Sequence, residues 1–176
     1  MLKITRRLFT AGTAALALSF AADGLSAAET LKIGAINPYS GPLALYGDEL
    51  ARGYELAADW INAKGGVLGR QVEFVRGNAT NPQEGIAAVE ALGEEVELFI
   101  GTYVSGVANA ASERAMGFDK IYWDTNALAA SLTERGLPNF IRSGPYAGTF
   151  ADRSVDAVVN LIAPAIGKAP GEVTVW

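Results

Sequence analysis

The chain contains no cysteine and no histidine. Without cysteine there is no disulfide framework, no thiolate nucleophile and no thiolate metal site. Without histidine the commonest general base and zinc ligand are missing, and with them a Ser-His-Asp triad. Positive charge is also short: 14 Lys and Arg stand against 19 Asp and Glu, a formal net charge of −5. That balance argues against a nucleic-acid partner, because phosphate binding needs clustered Lys and Arg to displace counterions. No run of like charge suggests a solvated tail. Phosphate-loop glycine patterns are absent as well: the Gly65, Gly66 and Gly69 cluster is neither G-x-G-x-x-G nor G-x-x-x-x-G-K-[ST] after a strand. The segment Gly101 to Gly106 is not a nucleophile elbow, since Tyr103 stands where the elbow needs a glycine. Glu94 and Glu95 are adjacent at a helix end and read as solvated charges. These absences point away from an enzyme, and no catalytic residue, metal or cofactor is expected.

What is present is globular. Half of the 176 residues are hydrophobic and 19% are charged, enough for one domain with a sizeable core, or one domain and part of another. The first 28 residues stand apart. Met1 to Arg7 is short and basic, Leu8 to Phe20 is apolar or small over 13 residues, and Ser26-Ala27-Ala28 is a small-residue cleavage pattern. The apolar run is shorter than the roughly 20 residues that cross a bilayer. The layout is that of a secretory signal peptide cleaved after Ala28, giving a soluble periplasmic product. Thr5-Arg6-Arg7-Leu8-Phe9 also resembles a twin-arginine signal, so both export routes stay open. No cysteine follows the run to carry a lipid.

From Leu31 onward strand-like and helix-like segments alternate. Leu31–Ile36, Gln71–Val75, Val96–Ile100, Ile121–Trp123 and Phe140–Ile141 read as strands, and Glu172–Trp176 as the start of another. Asp48 to Lys64 reads as a helix with Leu50, Tyr54, Ala57, Ala58 and Ile61 on one face, stopped by Gly65-Gly66. Asn81-Pro82 caps a helix that turns Ile86, Val89 and Leu92 inward. Ser105–Met116 and Phe150–Ile166 are further helices, and Pro38–Tyr46 is a loop. Such repeats predict an α/β fold, a parallel sheet with helices on both faces. Ligands bind at the carboxyl ends of such strands. Those ends are rich in small, hydroxyl and amide residues: Asn37 to Gly41, Asn78 to Thr80, Gly101 to Ser105 and Asp124 to Asn126. Ser105 stands where strand turns to helix, and as an N-cap it would leave N–H groups outward for an anion such as a carboxylate.

Several of these segments resemble the leucine/isoleucine/valine-binding proteins, the substrate-binding components of ABC transporters. Ser40-Gly41-Pro42-Leu43-Ala44-Leu45-Tyr46-Gly47 resembles that family's first ligand loop. Ile61 to Arg70 resembles its helix-to-strand turn, Gly101 to Ser105 its second ligand loop, and Leu132 to Gly136 the segment after its third. The resemblance runs from about Leu31 to Trp176. It implies a two-lobed type I periplasmic-binding fold that closes on a small molecule and hands it to a permease with ATPase subunits in the inner membrane. On that reading residues 29–143 are an incomplete first lobe and 144–176 the start of the second. The chain then stops early, inside a strand-like run.

The same resemblance assigns roles. The family's carboxylate-binding serine falls on Ser105, and Tyr46 matches an aromatic that packs beside the ligand. Ser40 belongs to the first ligand loop. Tyr103 has no family counterpart and is read as a pocket wall. Asn126 falls where relatives offer a carbonyl to an ammonium. Leu128 falls where they offer a hydroxyl, so one hydrogen bond is lost; a buried polar group left without its partner costs about 1–3 kcal/mol. Asp124 and Asn126 are alternatives for restoring it, and both also suit a turn. The implied ligand is a branched-chain amino acid or a related small carboxylate or amide. A sensory receptor of the same fold and an exported α/β hydrolase are the competing readings.

Overall fold

The computed structural model describes residues 29–174. The leader assigned to residues 1–28 lies outside the described residues, as do Val175 and Trp176. Five strands form one parallel sheet: β1 (Leu31–Asn37), β2 (Val72–Asn78), β3 (Leu98–Gly101), β4 (Ile121–Asp124) and β5 (Phe140–Arg142), in the order β2-β1-β3-β4-β5. The helices are α1 (Ala44–Asn62), α2 (Pro82–Leu92), α3 (Ser105–Met116), the short α4 (Ser131–Glu134), α5 (Ala147–Ala157) and the single turn α6 (Ala163–Ala165). All five expected strands before residue 143 form, each ending one to three residues later than expected, and three of them starting at the expected residue.

One face of the sheet carries the core. Ile36, Phe99 and Tyr122 point from β1, β3 and β4 onto Val89 of α2 and Val107, Ala111 and Ala115 of α3, all fully buried. Small residues let α2 and α3 approach closely: a Cβ on Gly85 would lie 2.9 Å from Val107. Asn81 caps α2 as expected, its side chain accepting from the Glu84 N–H at 3.0 Å, with Pro82 in the first turn. Ile86, expected inward, is exposed; Gly85 is the buried position beside Val89.

The other face is covered by α1. This helix starts earlier than expected, because a 3-10 turn at Gly41–Leu43, with Pro42 in its first turn, leads directly into Ala44. Gly47, Ala51 and Ala58 are its buried residues, while Ala57 is exposed to an open apolar pocket of about 300 Å³ shared with Tyr54, Ile61, Leu98 and Trp123. Gly65 and Gly66, both at positive φ, end the helix as the sequence indicates.

The C-terminal part departs from expectation. The helix read over Phe150–Ile166 begins at Ala147 and passes through a π-helical stretch at Val158–Ile162 before α6. Only Ala163 among the residues of α5, the π stretch and α6 is buried. The strand expected from Glu172 does not form within the described residues. Pro170–Glu172 is a 3-10 turn instead, with Glu172 donating its N–H to the Ala169 carbonyl. Proline presets such a turn, and a strand needs a neighbouring ladder that this segment lacks among the described residues.

Candidate functional site

The strand order reverses between β1 and β3: β1 leads to β2 on one side and β3 leads to β4 on the other. In an open α/β sheet the two loops leaving such a pair diverge and leave a crevice at the carboxyl edge. Here those are the loop after β1 with the first turn of α1 that it enters, carrying Ser40 and Tyr46, and the loop after β3 with the first residue of α3, carrying Tyr103 and Ser105.

The two loops meet through their aromatic residues. The rings of Tyr46 and Tyr103 stack with centroids 4.6 Å apart and planes 16° from parallel. Tyr46 nevertheless stays 46% exposed. Its place is fixed from behind by Gly47, where a Cβ would lie 2.3 Å from the Pro38 carbonyl oxygen. Only glycine lets the first turn of α1 sit that close to the β1 loop.

Ser105 is not the N-cap of α3. Val104 takes that position with extended dihedrals (φ −97°, ψ 123°), and Ser105 is the first helical residue. The Ala108 N–H to Val104 carbonyl bond is the first of the helix, so the N–H groups of Ser105, Gly106 and Val107 lie outside its ladder. The serine hydroxyl turns instead to the loop after β4, where it accepts from the N–H groups of Leu128 and Ala129, each at 3.2 Å. Both acceptor sites of the oxygen are thereby used and its own proton is left to donate.

The loop after β4 is anchored on a buried ion pair. Asp124 is fully buried and Arg142 is 6% exposed at its side chain, with Nε of Arg142 3.2 Å from Oδ2 of Asp124. Oδ1 of Asp124 accepts from the N–H groups of Thr102, at 3.3 Å, and Ala127, at 3.2 Å. Arg142 also donates to the Ala129 carbonyl at 2.8 Å. Burial pushes the Asp124 carboxyl above its ordinary value, and the Ala127 N–H, Arg142 and the Thr102 N–H pull it back in part. Asp124 is therefore engaged on both oxygens, and does not face outward to meet an ammonium as its place in the sequence suggested. Tyr54 of α1 reaches the same loop from the other face, its hydroxyl 3.1 Å from Oγ1 of Thr125. Thr102, buried at the end of β3, has no partner for its hydroxyl among the described residues.

The structure thus pairs Tyr46 with Tyr103 and Ser105 with Leu128. Leu128 presents an apolar side chain, 40% exposed, beside a backbone N–H already given to Ser105. Ser40 is drawn aside to β2, where its hydroxyl accepts from the Asn78 side-chain amide at 3.0 Å. Asn126 sits half-buried in the anchored loop, and its side chain makes no hydrogen bond among the described residues. Sequence reasoning did not single out Arg142. The available signal was register: Asp124 and Arg142 close adjacent parallel strands and face each other directly.

Comparison with known proteins agrees with this architecture. The family described as "Periplasmic binding protein" matches residues 30–165. Leu/Ile/Val-binding protein homolog 7 of Brucella suis is 42% identical over 158 residues, covering 87% of this chain and 40% of the relative. The chain therefore spans about two fifths of the length of the curated relatives it matches. Among solved structures, the branched-chain amino acid transporter substrate-binding protein LivJ of Streptococcus pneumoniae, in complex with isoleucine, superposes with a TM-score of 0.68 at 27% identity, over 76% of this chain and 39% of that one. A solute-binding protein of an ABC transporter from Rhodopseudomonas palustris, in complex with benzoate, gives 0.64 at 29% identity, over 74% and 37%. With the family match covering most of the described residues, and the parallel sheet shared with solved substrate-binding proteins, the chain belongs to the periplasmic binding protein family, with the architecture of its type I members.

Proposed function

We propose that this protein is the solute-binding component of an ABC importer and that it captures a small carboxylate without chemistry of its own. Residues 29–143 form its first ligand-binding lobe, and 144–176 begin a second lobe that closes over the solute. The loaded protein meets permease and ATPase subunits at the inner membrane, and residues 1–28 direct it to the periplasm. The observation that carries the reading is Ser105. Its hydroxyl is held by two N–H donors and keeps one proton for an acceptor, at the mouth of the β1–β3 crevice and at a helix start whose free N–H groups favour an anion. The isoleucine and benzoate of the two related structures have little in common beyond a carboxylate, which fits the same donor set. Closure would remove water from these donors, and preorganised donors in a desolvated cleft are what gives such a site its affinity.

The test is calorimetric titration of the protein expressed from its complete gene. A thermal-shift panel of amino acids, aliphatic and aromatic acids, amides and urea first selects a ligand, since binding to the folded state raises its stability by mass action. Ser105→Ala then weakens the selected carboxylate about tenfold, as expected for loss of a hydrogen bond to a charged group, while circular dichroism stays unchanged. An unaltered affinity removes Ser105 from the site. A panel in which only neutral amides or urea bind overturns the carboxylate.

A further inference from the structure

We infer that the carboxylate taken by this crevice is aromatic, with its ring laid on the tyrosine pair and its carboxylate at Ser105. The inference rests on the carboxylate-binding reading above and narrows it to a planar class. The first observation is the pair itself. Tyr46, in the first turn of α1, and Tyr103, in the loop after β3, border the β1–β3 crevice, and their near-parallel stacking at 4.6 Å and 16° sets one ring directly behind the other. One ring of the pair is almost half exposed although the pair is already formed. Flat, offset stacking against such a face favours another π system over an aliphatic group of equal size.

The second observation is distance along the chain. Tyr103 precedes Ser105 by two residues, so the ring that backs Tyr46 and the free hydroxyl proton are carried by adjoining residues where the chain enters α3. A carboxylate attached directly to a ring suits that short separation, whereas a flexible chain would have to be ordered on binding. The third is Leu128. Its exposed apolar side chain stands beside Ser105 and offers no polar atom, its N–H being already committed to the serine oxygen. On this lobe the solute therefore meets an aromatic face, an apolar side chain and one acceptor-seeking hydroxyl. The nearby carboxylate, Asp124, is sealed in its ion pair with Arg142 and is not open to a cationic group of the solute.

The experiment titrates the protein from its complete gene with benzoate, cyclohexanecarboxylate and leucine by calorimetry. Benzoate and cyclohexanecarboxylate match in size and charge and differ in planarity. Benzoate is expected to bind about two- to tenfold more tightly than cyclohexanecarboxylate, the range that aromatic stacking adds beyond buried area. Tyr103→Leu is expected to bring that ratio to about one. Tyr46→Leu provides the same reading where the first variant does not fold. Equal affinities in the wild-type protein, a ratio unmoved by either substitution, or leucine bound more tightly than benzoate each overturns the aromatic class and leaves the carboxylate reading standing. Binding of none of the three, with an amide bound instead, overturns both.

Discussion

Replacing Arg142 by methionine should be one of the most damaging single changes in this fold, and its damage should depend on pH. The arginine is 6% exposed at its side chain and pairs with an Asp124 that is fully buried. Removing one partner of a buried pair leaves an uncompensated charge, and such changes cost about 3–5 kcal/mol. Two N–H groups stay on Asp124 in the variant, those of Thr102 and Ala127, at 3.3 and 3.2 Å. They soften the loss, which places the expected deficit near ~3 kcal/mol at neutral pH. The sign with pH follows from the same burial. Asp124 already has a folded-state pKa above its ordinary value, with desolvation the first cause, and loss of the arginine raises it further. An acid whose folded pKa is raised binds its proton more readily folded than unfolded. Its penalty is absent below the unfolded pKa of about 3.9 and grows as pH rises towards the folded value. The deficit of Arg142→Met relative to wild type should therefore shrink as pH is lowered from 7 to 4. Urea denaturation of both proteins at several pH values measures it. A deficit under about 1 kcal/mol at neutral pH, or one that stays constant down to pH 4, would refute the buried-carboxylate argument.

Two further outcomes are expected. Glu84 accepts from the Thr80 N–H at 2.8 Å and the Thr80 hydroxyl at 2.9 Å, which hold its carboxyl below the usual range. A depressed folded pKa gives stability that is present above the unfolded pKa and lost as pH falls through the folded one, so Glu84→Gln should flatten the acid limb of the stability–pH curve. Ala147→Pro should leave α5 intact, since Ala147 is its first residue and the preceding Tyr146 is extended (φ −102°, ψ 167°). It deletes the N–H that the Leu128 carbonyl accepts at 2.8 Å, so carboxylate affinity measured by calorimetry should fall several-fold at nearly unchanged stability; unchanged affinity would show that this bond does not position the loop.

Much of this fold was legible because its signals are local. The alternation of short apolar runs with helical faces gave every strand up to Arg142, and Asn81-Pro82 and Gly65-Gly66 marked helix ends through dihedral and donor arguments that need no tertiary context. The failures came where the deciding contact is distant. Ser105 looked like a cap because serine favours that position. Its hydroxyl is instead claimed by N–H groups more than twenty residues away, which no window around Ser105 contains. Asp124 looked like a turn former open to ligand; its burial depends on an arginine on the next strand. The last expected strand is absent as far as Thr174, where the described residues end, for a related reason. The run after Glu172 has the right residues, but β propensity reflects packing against neighbours more than backbone preference, and no neighbour stands beside it among the described residues. In the candidate site, residue types were readable while pairings were not. Ser40 illustrates this, since only the sheet order shows that it turns to Asn78 on β2.

The loop after β4 explains why a site built from so few side chains can be well defined. It is tied through the Thr125 side chain to Tyr54, and through its backbone at Ala127 to Asp124, at Leu128 and Ala129 to Ser105, and at the Ala129 carbonyl to Arg142. These ties reach four different elements, α1, β4, α3 and β5, so the loop has no single direction in which it moves freely. The serine hydroxyl inherits that rigidity, because the two N–H groups that fix its oxygen belong to the loop. Its ordering has then been met in folding and is not charged to binding, which is the condition for affinity from a single hydrogen bond. The same loop accepts the Ala147 N–H on its outer side. Any displacement of α5 relative to the sheet must either break that bond or carry Leu128 with it. The path from α5 to the Ser105 hydroxyl is thus two hydrogen bonds long, and both end on Leu128.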